Sequence, residues 1–145
     1  MEIIPGGAED NSVRKIIEIE REIVELEERA AKSKIYSLNK NGSEYKIGII
    51  DLPSFYLDFE AWQARDPNYK SSSKDVKNIL DEFKKQSVDA VLVDLRNNSG
   101  GALTEANKLT GLFTSAGATL QIKESNDNII PWGDARVRQA WSKPM

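Results

Sequence analysis

The chain contains no cysteine and no histidine. Without cysteine there is no disulfide framework and no thiolate metal site, and neither a reducing nor an oxidising compartment is singled out. Without histidine, no Ser-His-Asp or Cys-His unit can be assembled from these residues, because each takes imidazole as its base. Histidine-ligated zinc is excluded on the same ground. An excess of one charge is also missing. Twenty Lys and Arg stand against 23 Asp and Glu, a net charge of −3, with the signs interspersed. Nucleic-acid binding calls for a clustered basic surface, which this pattern does not supply. No apolar run reaches the roughly 18 residues of a membrane span. The opening Met1-Glu2-Ile3-Ile4-Pro5 has neither the basic nor the apolar region of a secretory signal.

What is present suits one domain, or one domain and part of another, in 145 residues. Residues 5–12 form a dense Pro/Gly/Asn/Asp/Ser turn cluster flanked by short apolar pieces, which fits a hairpin with a long loop. Ile16, Ile19, Ile23, Leu26 and Ala30 then recur at spacings of three and four. This stripe predicts one helix over residues 13–32 and also fits heptads of a coiled coil, while Ile17 and Ile19 admit a weaker strand reading. The acidic run over 18–28 reads as a solvated face, since no carboxylate set converges by spacing and no metal is implied.

Residues 34–38 and 45–52 read as two strands joined by a turn containing Asn41-Gly42, the clearest hairpin in the chain. Residues 53–73 read as a loop carrying Phe55, Tyr56, Phe59, Trp62 and Tyr69. The first four of these aromatics suit core packing and an exposed patch better than a substrate pocket. Ser73 is the expected N-cap of a helix whose apolar face is Val76, Ile79, Leu80 and Phe83. The nearly continuous apolar run of 88–95 predicts a strand buried on both faces, as in a parallel sheet. A Gly-rich turn at 97–101, a helix over 104–113 and a strand over 118–123 follow, and 124–145 is polar. Helix, strand, turn, helix, strand is the order of an α/β domain with right-handed crossovers.

The chemistry concentrates where the buried strand runs into Asn97-Asn98-Ser99-Gly100-Gly101 and then a helix. Glycines there turn backbone N–H groups toward an open crevice beside a helix N-terminus, an arrangement suited to negative charge. The occupant on this reasoning is a phosphate, a carboxylate or the oxyanion of a tetrahedral intermediate. A phosphate loop is disfavoured, because Ala102-Leu103-Thr104 follows Gly101 where Gly-x-x-Gly or Lys-Ser/Thr is needed. A tight turn with no ligand fits the spacing as well. Asp94 and Arg96 flank the turn, either shaping it or forming a structural ion pair.

Val91-Leu92-Val93-Asp94-Leu95-Arg96-Asn97-Asn98-Ser99-Gly100-Gly101-Ala102-Leu103-Thr104-Glu105-Ala106 closely resembles the oxyanion-hole segment of carboxy-terminal processing, or tail-specific, proteases. The likeness continues through Leu109-Thr110-Gly111-Leu112-Phe113 and Gly117-Ala118. It is also found upstream in Lys46-Ile47-Gly48-Ile49-Ile50-Asp51-Leu52-Pro53-Ser54-Phe55-Tyr56. The resemblance implies an incomplete ClpP/crotonase-like α/β core over 34–145, preceded in 1–33 by the end of a PDZ domain and its linker. On that view Glu2-Ile3-Ile4-Pro5 and residues 14–19 are the last PDZ strands, and residues 25–30 form the connection. It implies an exported serine endopeptidase with a Ser-Lys dyad and no cofactor. Its partners are protein substrates recognised through their C-terminal tails, and membrane association runs only through parts outside this chain. Gly100 and Gly101 match the oxyanion-hole amides. Ser99 stands where the family has its first glycine, and its Cβ disfavours positive φ. The nucleophile and lysine match nothing in residues 1–145, so the isolated chain is expected to be inactive. The alternative is a non-catalytic protein-interaction module with the same fold.

Overall fold

The computed structural model describes residues 2–3, 15–18, 30–115, 117–133 and 139–145. Two short strands open the chain, β1 (Glu2–Ile3) and β2 (Lys15–Ile16), paired antiparallel with Glu2 opposite Ile16. This is the hairpin pairing read from the flanks of the turn cluster, whose residues 5–12 lie outside the described set. The helix expected over 13–32 does not hold at either described end. Lys15–Ile16 is strand, and residue 32 already belongs to the next strand. Cross-strand pairing to Glu2–Ile3 overrides local helical propensity where β-branched isoleucine suits an extended chain. Residues 19–29 lie outside the described set.

Strands β3 (Lys32–Lys40) and β4 (Ser43–Asp51) form the antiparallel hairpin. Asn41 and Gly42 turn it at φ of 53° and 79°, the paired left-handed conformation of a tight hairpin turn. The segment read as a loop contains a short helix, α1 (Phe59–Gln63). Asp58 caps it, its carboxylate accepting from the Ala61 N–H at 3.0 Å. Helix α2 (Ser72–Lys85) crosses over to β5 (Ala90–Asp94), which lies parallel to β4 with Gly48 opposite Val91. Helix α3 (Leu103–Phe113) packs against α2. The antiparallel pair β6 (Leu120–Lys123) and β7 (Ile129–Trp132) follows, the second strand arising in the stretch read as a polar remainder.

The core lies between one face of the β3-β4-β5 sheet and the two longer helices. Ile50, Leu52, Val88 and Val91 meet Val76, Leu80 and Phe83 of α2 and Leu109 and Leu112 of α3, with Ile79 partly buried at the margin. Burying each large aliphatic side chain contributes roughly 1.5–3 kcal/mol. A Cβ at Gly48 would lie 2.3 Å from the Phe83 ring, so glycine lets α2 approach the sheet closely.

The expectation that β5 is covered on both faces fails. Leu92 is 49% exposed. It pairs with Ile49 on the face opposite the helices, and alternation along a strand sends it there once Val91 points into the core. The open edge of β5 is met by the last residues. The Val91 N–H donates to the Pro144 carbonyl at 3.0 Å, and Lys143 Nζ to the Val88 carbonyl at 2.7 Å. Trp141, 2% exposed, anchors that segment in the core.

Candidate active site

β5 ends at Asp94, and its carboxylate takes a two-point grip from the next charged side chain. Arg96 Nε donates to Oδ1 at 3.0 Å and Nη2 to Oδ2 at 2.6 Å. These bonds, with the Arg96 backbone N–H, hold the Asp94 carboxyl down to about 2. Asp94 and Arg96 thus form the ion pair, at the root of the turn.

Asn98 then clamps the turn to Leu52, the residue that follows β4. Its Nδ2 donates to the Leu52 carbonyl at 2.9 Å, and its Oδ1 accepts from the Gly100 N–H at 2.8 Å. The amide can sit only this way round, because Leu52 offers an acceptor and Gly100 a donor. The Ser99 N–H donates to the Pro53 carbonyl at 3.0 Å. Ser99 is not among the residues with positive φ, so its Cβ costs nothing here. The left-handed positions are Gly100 at +86° and Gly101 at +139°.

Phe55 forms the other side of the turn. Its N–H donates to the Gly100 carbonyl at 2.8 Å, and its carbonyl accepts from the Ala102 N–H at 2.8 Å. Gly101 lies between these two bonds in a parallel bridge with Phe55. The two glycine amides therefore differ. That of Gly100 is committed to Asn98, whereas the Gly101 N–H has no acceptor among the described residues. Ala102, the N-cap of α3, offers no side-chain cap. Leu103 and Thr104 likewise donate to no described residue. Unsatisfied donors at a helix start carry the positive end of the helix dipole.

Behind the turn, α3 is tied to α2 by a fully buried carboxylate. Glu105 accepts from the Ser73 N–H at 3.0 Å, the Ser73 hydroxyl at 2.6 Å and Lys108 Nζ at 2.9 Å. Burial alone penalises its charge, but Ser73 and Lys108 outweigh that and hold the carboxyl below the usual range. Ser73 is therefore not the N-cap of α2; Ser71 occupies that position without a side-chain cap bond, its hydroxyl lying 3.4 Å from that of Ser73. An ionised carboxylate is the stronger acceptor, and it draws the Ser73 hydroxyl across to α3.

Of the aromatics, Tyr56 is buried, Phe55 partly buried, and Phe59 and Trp62 form an exposed edge-to-face pair 5.7 Å apart. The Tyr56 hydroxyl accepts from the Ala31 N–H at 3.1 Å and donates to Asp75 Oδ2 at 2.5 Å. Burial, then the Asp75 carboxylate, pushes it well above the usual tyrosine range. Among the described residues no Asp/Glu cluster is placed to hold a metal ion, and no helix is long and apolar enough to cross a membrane.

Asn98 and Glu105 are the site residues that sequence reasoning did not single out, and Phe55 is read there as an aromatic of the core or an exposed patch rather than as a grip on the turn. Asn98 had a local signal, an Asx side chain two residues before glycine. The contacts of Phe55 and Glu105 span 45 and 32 positions in the chain and leave no local trace.

The fold matches a solved structure of a photosystem II D1 C-terminal processing protease with a TM-score of 0.56 and 16% identity, over 90% of this chain and 30% of that one. The chain belongs to peptidase family S41, whose sequence profile matches residues 46–145. It is 35% identical over 115 residues to the tail-specific protease of Haemophilus influenzae, which covers 79% of this chain. The chain spans 14% of that relative's length.

Proposed function

We propose that this chain is the part of a serine endopeptidase that supplies its oxyanion hole, and that the Ser-Lys dyad lies outside residues 1–145. On this reading 34–145 is the N-terminal part of a ClpP/crotonase-like protease core and 1–33 is the end of a PDZ domain with its linker. The whole protein is exported, takes protein substrates by their C-terminal tails and uses no cofactor.

The observation that carries the proposal is the Gly101 N–H, a donor without an acceptor among the described residues, at the uncapped start of α3. Attack on a peptide carbonyl places negative charge on its oxygen. A fixed N–H aimed at that charge strengthens its bond as the charge develops, which lowers the barrier. Gly101 takes this donating role. Gly100 sets the turn through Asn98, so the pair acts as donor and support. On this reading a serine nucleophile outside residues 1–145 attacks the carbonyl whose oxygen Gly101 holds, and a lysine amine serves as its base.

Hydrolysis of an unfolded, tail-bearing protein by the whole protein and by the isolated chain tests this. The whole protein cleaves and the isolated chain does not, since no acyl transfer occurs without a nucleophile. Cleavage by the isolated chain overturns the placement of the dyad. A whole protein with no activity and no Ser-Lys pair is instead an interaction module of the same fold.

A further inference from the structure

We infer that Tyr56 is a positioning residue whose hydroxyl ties the entry to β3 to the segment that holds the glycine turn; this rests on the oxyanion reading above. Tyr56 is 6% exposed, and its hydroxyl has two partners from different parts of the chain. The Ala31 N–H donates to it from the residue before β3, and it donates to Asp75 in the first turn of α2. Its backbone is fixed as well, the carbonyl accepting from the Ser72 N–H at 3.0 Å.

The neighbouring residue, Phe55, is the one that grips Gly100 and Ala102. The 53–55 segment and the 99–102 turn are joined by three backbone bonds, Ser99 to Pro53, Phe55 to Gly100 and Ala102 to Phe55. Asn98 adds a fourth tie to Leu52. A shift of the Tyr56 ring therefore moves the peptide on which Gly101 rests, because Phe55 is bonded to the residues on both sides of Gly101. A hydroxyl buried this deeply holds its place only while both partners remain, because losing one leaves a buried polar group short of a bond. The entry to β3 is in this way linked to the orientation of the Gly101 N–H.

The test is Tyr56→Phe in the 145-residue chain, followed by amide NMR. Exchange of the Ala31 amide quickens by about tenfold, and the Gly100 and Gly101 resonances move. Tyr45→Phe, which removes an exposed hydroxyl, moves neither glycine. Ala31→Pro removes the donor, while also fixing φ at position 31, and shifts both glycines, which serves if Tyr56→Phe does not fold. In the whole protein, Tyr56→Phe lowers kcat by about tenfold with KM little changed, as a misplaced catalytic group does. Glycine resonances that stay put overturn the inference. Glycine resonances that move while turnover is unaltered overturn the oxyanion reading and leave the Tyr56 tie standing.

Discussion

The carbonyl oxygen of Phe55 stands 2.4 Å from where a Cβ on Gly101 would lie. No real Cβ tolerates that separation from backbone, and φ at Gly101 is +139°, which side-chain-bearing residues rarely adopt. Gly101→Ala is therefore expected to destabilise the chain by about 2–3 kcal/mol. Gly100→Ala meets nothing within 4 Å and suffers only its φ of +86°, a cost of about 1–2 kcal/mol. Urea denaturation of the two variants side by side measures the gap. Equal losses would show that Phe55 does not confine Gly101.

Asn98 fills two needs with one side chain. Asn98→Ala leaves the Leu52 carbonyl and the Gly100 N–H without their partners, at a cost of about 1–3 kcal/mol. Freed from Asn98, the Gly100 amide is expected to exchange with solvent faster than in the parent sequence. Unchanged stability and exchange would contradict the clamp.

Glu105 makes acid sensitivity a property of the interface between α2 and α3. Its folded-state carboxyl lies below its usual 4.5. The ionised form is thus favoured by folding, and its contribution is complete above that usual value. It is lost as pH falls through the lowered folded value. Glu105→Gln should destabilise the chain by about 1–3 kcal/mol near neutrality and flatten the stability profile on the acid side. Thermal unfolding followed from neutral to acidic pH reads both effects. A profile as steep in Glu105→Gln as in the parent sequence would place the acid sensitivity elsewhere.

Trp141 joins the last residues to the core. Its backbone N–H and that of Ala140 both donate to the Leu112 carbonyl, at 2.9 and 2.7 Å, and its indole N–H donates to the Pro144 carbonyl at 3.1 Å. Trp141→Ala is expected to cost about 3–5 kcal/mol and to release Pro144 from Val91. Faster exchange of the Val91 amide is the specific sign, since a general loss of packing affects all core amides alike.

Some of this was legible in the residues alone. Alternation over 34–38 and 45–52 about Asn41-Gly42 defines its hairpin locally, and the apolar run into the glycine turn marks the parallel strand. Three parts were not legible. α1 has five residues, too few for a period to emerge, although Asp58 was there to cap it. The stripe over 13–32 met a strand partner at Glu2–Ile3, and pairing across a loop is invisible to periodicity. Glu105 sits in a helix where a charged residue reads as solvent-facing, and only its approach to Ser73 explains its burial. The turn divides in the same way. The motif identifies Gly100 and Gly101 together, while the Asn98 side chain, folded back onto one of them, distinguishes the donor from its support.

The central claim concerns a single N–H group, and removing it without adding a side chain is the most direct test. In the whole protein, replacing the Gly100–Gly101 amide by an ester, with glycolic acid in place of Gly101, deletes that donor and adds no side chain, at the cost of a weaker Gly100 carbonyl acceptor for the Phe55 N–H. The account predicts a fall in kcat of about 100- to 1,000-fold with KM little changed. Turnover undiminished by the ester would contradict it.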